Sequence, residues 1–439
     1  MALPNAALVT PPTVRRQPRA MWLGYMGALA AVTLPLEKAV GPLVVNLGLI
    51  ATAALTFHLG VRWLVAGRDF DPLGRAGRLI VIAGMAVIVL GLKRGYAPTE
   101  GTAILLTGTG IAVGRHVIRR QVDRASLARA AYRLAVALGV LSVAEFAVRR
   151  PIFAITNLVG GSSWIQDTSL RDGTGYASRA TLQGPNILGA CALVIYLMVQ
   201  VLLSADRSLL RRRQQRLLVA ATLASCLLAQ SRGATITLVA GMLVTSALRR
   251  RSIGDRYTRA VMLVAVAALF ALFLPRTGVL ARFESSDVAD GGNSRSRIAT
   301  AGIAVARQYP TTGIGKADFL EAAANLDLPV YGVPHNLFIY VAMRDGIPIA
   351  ALLALAMVIE IRRAAAGLKR QDQRDEQGAP VTLTAPVVGV VSVFVMQMLY
   401  VSICFHPLAG LSGVLLGLCS GVASAPDSRS TAERSGAPA

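Results

Sequence analysis

Apolar runs long enough to cross a bilayer recur along this chain of 439 residues, and they limit what it can fold into more than any other feature. A membrane helix needs about 20 predominantly apolar residues. The stretches 79–92, 187–203, 261–274 and 347–361 reach that length once the interfacial residues at their ends are counted. Only 15% of the residues are charged against 54% hydrophobic, and the mean hydropathy is +0.56. A soluble chain carries about 25% charge, so this one has too little polar surface to cover a water-exposed body. The predicted fold class is all-α: a polytopic transmembrane helical bundle.

The apolar runs alternate with short basic clusters, and together they predict about twelve spans, at 20–36, 40–58, 78–93, 101–117, 132–148, 186–204, 216–231, 234–248, 260–275, 346–362, 384–404 and 407–423. The formal net charge of +22 would suggest nucleic acid if the basic residues formed one patch. They do not. Thirty of the 45 Lys and Arg fall in clusters at 15–19, 62–78, 115–133, 207–216, 249–259, 362–374 and 429–434, which are every second connection if the N-terminus starts inside. Cytoplasmic loops are enriched in Lys and Arg, so the charge is an orientation signal. Both termini are expected in the cytoplasm, and nucleic acid is not an expected partner. The first apolar run has no small-residue cleavage site and leads directly into a second, as a span does and a cleaved leader does not. Cys191, Cys226, Cys404 and Cys419 all lie in apolar runs without CxxC spacing, which indicates neither a disulfide framework nor a zinc site.

The expected organisation is a tail at 1–19, spans one to nine over 20–275, a large outer loop over 276–345, spans ten to twelve over 346–423, and a second tail at 424–439. The large loop opens with a polar, glycine-containing stretch at 284–297, and an amphipathic helix is expected near 296–308. Loops of this length are uncommon unless they carry function. The stretch "HNLFIYVAMRDGIPI" (335–349) is apolar but broken by Arg344, Asp345, Gly346 and Pro348. One continuous helix there would bury an Arg–Asp pair in hydrocarbon, at high cost. A short surface helix ending at Gly346 is predicted instead, with the true span starting at Ile347 and Pro348. His335 then sits at the mouth of the short helix and Asn336 in its first turn.

Unusual polar residues gather at the expected outer ends of the spans, in "SRATLQGPNILGA" (178–190), "AQSRGATITL" (229–238) and "PHNLFIYVAMRDGI" (334–347). Spans seven and eight are separated by little more than Ser231, Arg232 and Gly233, so Arg232 lies at the membrane edge. A guanidinium there is either functional or snorkelling to lipid headgroups. Glu145, an acid within span five, could pair with Arg149 one turn on. "DFD" (69–71) lies in a short cytoplasmic loop with no nucleotide-binding domain around it. "GIGK" (313–316) lacks the spacing of a phosphate-binding loop and reads as a turn.

An Arg ahead of a Pro-Asn helix start, a Ser-Arg-Gly between two spans, and "GIGKADF", "PHNLFIY" and "RDGI" closing a large outer loop, in that order, resemble the O-antigen ligase and O-antigen polymerase family, over about residues 150–365. The resemblance implies a GT-C-type membrane glycosyltransferase. Such an enzyme takes a glycan from a polyprenyl (undecaprenyl) diphosphate carrier on the outer face of the bacterial inner membrane and transfers it to an acceptor hydroxyl. It also implies functional roles for Arg179, Arg232 and His335. The residue types suit that chemistry. Arg holds phosphate bidentately and stays charged, so Arg179 and Arg232 would bind the carrier diphosphate and Arg232 would stabilise it as it leaves. His335 could take the proton of the acceptor hydroxyl, although a capping or interfacial histidine has the same sequence appearance. Asn336, Arg297, Arg344 and His406 are secondary candidates.

The chain departs from the family where a Trp is common, carrying Thr300, Ala301 and Gly302 there. No metal site and no cofactor are expected. The expected partners are the lipid-linked glycan donor, a glycan or lipid acceptor such as lipid A core, and the bilayer. Transfer of a finished glycan (ligase) is favoured over extension of the lipid-linked repeat (polymerase). A polysaccharide transporter or flippase, which would need polar residues or broken helices near mid-membrane, is a more distant alternative.

Overall fold

A computed structural model describes residues 37–40, 43–46, 73–94, 99–149, 170–171, 175–176, 178, 180, 185–231, 234–235, 237–238, 241, 287–315, 319–328, 330, 333–375, 384–399 and 406–423. The expected spans at 20–36 and 260–275, and most of the one at 234–248, lie outside the described residues, as do both tails and Cys404.

Every described element longer than four residues is a helix. In chain order these are α1 (Gly74–Lys93), α2 (Thr99–Arg119), α3 (Gln121–Val148), α4 (Pro185–Ala205), α5 (Arg212–Leu228), α6 (Asp287–Gln308), α7 (Phe319–Ala324), α8 (Leu337–Asp345), α9 (Ile347–Asp375), α10 (Thr384–Leu399) and α11 (His406–Ala423). Among the described residues, four helices are long and apolar enough to cross a membrane: α1 and the stretches Glu100–Arg119, Val122–Val148 and Asn186–Ala205. The apolar parts of α10 and α11 are shorter.

Two small ribbons interrupt the all-helical expectation. Strands β1 (Glu37–Val40) and β2 (Leu43–Asn46) pair antiparallel, with Val40 opposite Leu43, where the sequence predicts the end of one span and the start of the next. An open strand pair leaves edge groups unsatisfied in hydrocarbon. Strands β3 (Leu170–Arg171) and β4 (Gly175–Tyr176) form a second pair within the loop before α4.

The central helix is α4. Its residues are apolar on every side, and Leu188, Leu193, Ile195, Met198 and Leu202 are fully enclosed by α3, α5, α10 and α11. A helix apolar all round is one that is surrounded. By contrast, α1 exposes Ile82, Met85, Val89 and Leu92 along one face, at the three- and four-residue steps of a helical stripe. Such a stripe suits lipid.

The closest helix contact is between α2 and α11, which run parallel. A Cβ at Gly110 would meet Gly410 O at 2.6 Å, one at Gly114 would meet Leu418 N at 2.7 Å, and those at Gly413 and Gly417 would strike the carbonyls of Thr107 and Ile111. Backbone therefore packs on backbone, and Thr107 Oγ1 donates across the seam to Ala409 O at 3.2 Å. At the far end of the pair, Arg363 of α9 donates to Glu360 Oε1 at 2.9 Å and to Ser420 Oγ of α11 at 3.0 Å. The three described cysteines are buried and free, as small hydrophobes in helices are expected to be.

The glycine contacts run α1 antiparallel to α2 and bring the start of α4 to the end of α5. The C-termini of α1, α3 and α5 and the N-termini of α2 and α4 therefore share one end of the bundle, where the large loop also docks. Helix α6 ends at Gln308 as the sequence predicts, but begins at Asp287, absorbing the polar stretch expected to precede it. An interior glycine costs only about 1 kcal/mol.

Candidate active site

The loop end of the bundle is built around α8. Asn336 is the N-cap rather than a first-turn residue: its Oδ1 accepts from Phe338 N at 2.9 Å and from Ile339 N at 3.3 Å. Its amide oxygen is thus committed to starting the helix, the ordinary use of Asn at this position. His335, one residue earlier, is exposed, while Pro334 beside it is buried. Pro334 is seated by α6, where a Cβ on Gly302 would approach Pro334 Cγ to 2.8 Å and Ile339 Cγ2 to 2.7 Å. The small residues at 300–302 thus let the loop helix approach the histidine segment closely. A separate apolar cluster of Ile298, Ala301, Val305, Ala306, Phe319, Ala323 and Met343 ties α6 and α7 to α8.

The C-terminal end of α8 is satisfied by the "TTGIG" segment, which does turn as the sequence suggests and does more besides. Ile314 N donates to Met343 O at 2.9 Å and Gly315 N to Arg344 O at 2.8 Å, occupying carbonyls that a helix end leaves open. The chain then reverses at Gly346, whose φ of 102° a residue with a Cβ rarely adopts. Helix α9 starts at Ile347, as expected, and Ile347 N donates to Pro310 O at 2.8 Å.

Charged residues latch this loop to the spans. Arg94, at the C-cap of α1, donates through Nη2 to the carbonyls of Thr312 and Gly313, each at 3.0 Å. Arg344 lies 2.7 Å from Glu100 in the first turn of α2 and donates to Tyr340 Oη at 2.6 Å. Burial works against the Arg344 charge, but Tyr340 and Glu100 outweigh it and the guanidinium pKa is raised. Asp345 is only 1% exposed, and neither carboxylate oxygen has a hydrogen-bond partner among the described residues. Burial pushes its pKa from the ordinary 3.8 up to about 7, against the opposing pull of Arg344.

A second cluster at the same end concerns the two arginine-bearing segments. Arg179 and Arg232 lie outside the described residues, but their neighbours do not. Ser178 N donates to Leu228 O at 2.8 Å, joining the first segment to the C-terminal end of α5. A Cβ on Gly189 of α4 would meet Ser231 Oγ at 2.9 Å, so the second segment lies against α4. Ser178, Ala180, Gln230 and Ser231 are all buried. Glu145 does not serve Arg149 in the way the sequence suggested. Its Oε2 accepts from Ser178 Oγ at 2.7 Å and from Ala180 N at 2.8 Å.

These contacts bring Ser178 and Ala180 to the C-terminal end of α5, at the end of the bundle where His335 precedes the N-cap of α8. Arg344 is drawn into the Glu100–Tyr340 latch, and Arg297 is exposed on α6. His406 begins α11, its side chain lying outside the described residues. Glu100, Tyr340 and Arg94 were not singled out by sequence reasoning. Their only signal was position, since Arg94 and Glu100 flank the short connection between two predicted spans.

Residues 217–356 match the family model described as O-antigen ligase. This agrees with the resemblance drawn from the motifs and supports a ligase- or polymerase-type glycosyltransferase activity in a membrane setting. The match takes in Arg232, Arg297, His335, Asn336 and Arg344, while Arg179 and His406 fall outside it. No curated protein matches the chain. The matched stretch runs from α5 through the large loop into α9, so it contains the whole Arg94-facing latch on the loop side.

Proposed function

We propose that this chain is an O-antigen ligase-type glycosyltransferase of about twelve spans and GT-C type, acting on the outer face of the bacterial inner membrane with both termini in the cytoplasm. It takes a glycan from undecaprenyl diphosphate and passes it to an acceptor hydroxyl such as one on lipid A core. The reading is supported most by one observation: residues 217–356, which match O-antigen ligase, hold both Arg232 and His335, the latter one residue before the N-cap of α8.

In the proposed reaction the acceptor oxygen bonds to the anomeric carbon as the bond from that carbon to the diphosphate oxygen breaks. The electron pair leaves with the diphosphate, where Arg179 and Arg232 neutralise the added charge. His335 accepts the proton that the acceptor hydroxyl loses. These residues need no metal for that division of labour. Docking the loop through Arg94, Glu100 and Arg344 would hold the histidine over the membrane-embedded carrier.

Transfer of purified lipid-linked glycan in liposomes tests this directly. His335→Ala and Arg232→Ala are each expected to cut the rate by about a hundredfold or more, and undiminished transfer by both would remove the proposed site. A product released from the carrier onto a different acceptor after one transfer identifies a ligase, whereas repeat extension on the carrier identifies a polymerase. Loss of activity on chelation would contradict the metal-free chemistry.

A further inference from the structure

At the end of the bundle away from the large loop, the fold joins two arginine clusters that are far apart in the sequence. Helices α3 and α5 touch where a Cβ on Gly139 would meet Ala221 Cβ at 2.8 Å and Ala221 O at 3.0 Å. Nearer the large loop both helices meet Ser178, which donates its Oγ–H to Glu145 and its N–H to Leu228 O. The two helices therefore run parallel. At about 1.5 Å of rise per residue, Arg133 lies about 9 Å below Gly139 and Arg216 about 8 Å below Ala221, so the two arginines share one level.

Each helix carries an exposed stripe of the same make-up. On α3 it passes through Arg129, Arg133, Val140 and Ala147, and on α5 through Arg213, Arg216, Leu217 and Ala220. Steps of three, four or seven residues keep to one helix face. Arginine holds the end away from the large loop and apolar side chains the remainder, with Val140 62% and Leu217 47% exposed.

The two stripes also face the same way. Successive residues turn by about 100° around a helix. Val140 follows its contact residue Gly139 by one position, whereas Ala220 precedes Ala221 by one. On parallel helices packed together, those opposite rotations point to the same side of the pair. The result is one continuous surface, a row of arginines with an apolar strip leading from it toward the large loop. Asp206, the acid nearest to the α5 arginines in the sequence, accepts from Ser208 N at 2.9 Å and from Ser208 Oγ at 2.6 Å.

A guanidinium row holds phosphate, and basic clusters at the ends of membrane helices recognise anionic headgroups. A soluble anion would use the arginines alone. A phospholipid uses both parts of the surface, in the order in which they occur. We propose that this face of α3 and α5 binds an anionic phospholipid, its phosphate on Arg133, Arg213 and Arg216 and its acyl chains along Val140 and Leu217. Binding there requires no particular reaction at the other end of the molecule.

Native mass spectrometry of the full-length protein in detergent, titrated with phosphatidylglycerol or phosphatidylethanolamine, tests this. The wild type is expected to half-saturate with phosphatidylglycerol at about a tenfold lower concentration than with phosphatidylethanolamine, and the Arg133→Gln/Arg216→Gln variant should lose about that factor. The charge-matched control is Arg75→Gln/Arg362→Gln, two exposed positions on α1 and α9, whose main neighbours do not include α3 or α5. It should change phosphatidylglycerol binding by less than about twofold, because its arginines lie off this face. Equal losses from the two double variants would mean that charge acts through the general field of the protein, and would overturn the proposal. Equal binding of the two lipids by the wild type would overturn it as well. Inorganic phosphate at the lipid concentration is expected to leave bound phosphatidylglycerol in place; displacement would make this a site for a free anion and sink the lipid assignment.

Discussion

The seam between α2 and α11 and the latch between the large loop and the ends of α1 and α2 hold the molecule by opposite means. In the seam, Gly110, Gly114, Gly413 and Gly417 bring two backbones together with almost no polar chemistry beyond Thr107. At the latch, Arg94, Glu100, Tyr340 and Arg344 exchange charge-assisted bonds, and "TTGIG" supplies N–H groups to a helix end. The difference follows from the solvent. Between helices in lipid there is no hydrophobic gain to be had, so close shape carries the contact. At the water boundary apolar area is limited and polar groups must be paired anyway, so hydrogen bonds and ions carry it.

The contrast is most exposed to failure at Gly417. Its Cβ would strike the Ile111 carbonyl, and backbone cannot yield as a side chain can. Gly417→Val is therefore expected to cost about 3 kcal/mol or more, read as a lowered thermal midpoint in detergent. An unchanged midpoint would show that the seam is not the rigid element it is taken for.

Arg344→Ala should come next, at roughly 2–3 kcal/mol, because it leaves the Glu100 carboxylate and Tyr340 hydroxyl without their cation in a site less than one-fifth exposed. The loss falls on loop docking, so protease cleavage within 276–345 should speed up while the midpoint set by the seam shifts little. Equal shifts in both would merge the two regions into one cooperative unit.

Asp345→Asn separates them by pH. The Asp345 carboxyl is raised from 3.8 to about 7, so the folded state favours its neutral form. Below pH 3.8 the carboxyl is neutral folded or unfolded and carries no penalty. The penalty grows between 3.8 and about 7, and is constant above that. The variant should therefore protect the loop against proteolysis at pH 8, and this advantage should shrink on acidification and be gone below about pH 3.8. A pH-independent difference would mean that the carboxyl is not buried in its docked state. The smallest expected effect is Thr107→Val, about 1 kcal/mol for the hydrogen bond to Ala409 O, visible as a small midpoint shift with loop cleavage unaltered.

Much of this is legible in the sequence, and the reasons are local. The division at Gly346 could be read from Arg344 and Asp345 interrupting an apolar run, since a charged pair in hydrocarbon is costly whatever surrounds it. The starts of α4 and α9 followed from the Pro-Asn at 185–186 and from Pro348, whereas Asn336 was expected in the first turn of α8 and is its N-cap. The helix at 287–295 was missed because Gly291 and Gly292 lower helix propensity by an amount that neighbouring residues can outweigh. The hairpin at 37–46 was missed because the connection it occupies lies between two apolar runs and reads as a simple turn between spans.

The site divides along the same line. Spacing alone puts His335 at the mouth of a short helix, and the structure has it one residue before the N-cap. Glu145 was recognised as an unusual intramembrane acid but assigned to Arg149, four residues on, because periodicity proposes only neighbours on the same helix. Its described partners lie 33 and 35 residues away. The Arg94 contacts span 218 and 219 residues.

By itself, then, the sequence determined that this chain is a helical membrane protein with its unusual polar residues at span ends, because burial preference and backbone satisfaction are properties of each segment taken alone. Only the tertiary structure decided that α2 pairs with α11, that the loop locks onto Arg94 and Glu100, and that Glu145 meets Ser178 and Ala180. Those are choices among distant partners of similar chemistry, and packing, which excludes all but one arrangement, is what makes them.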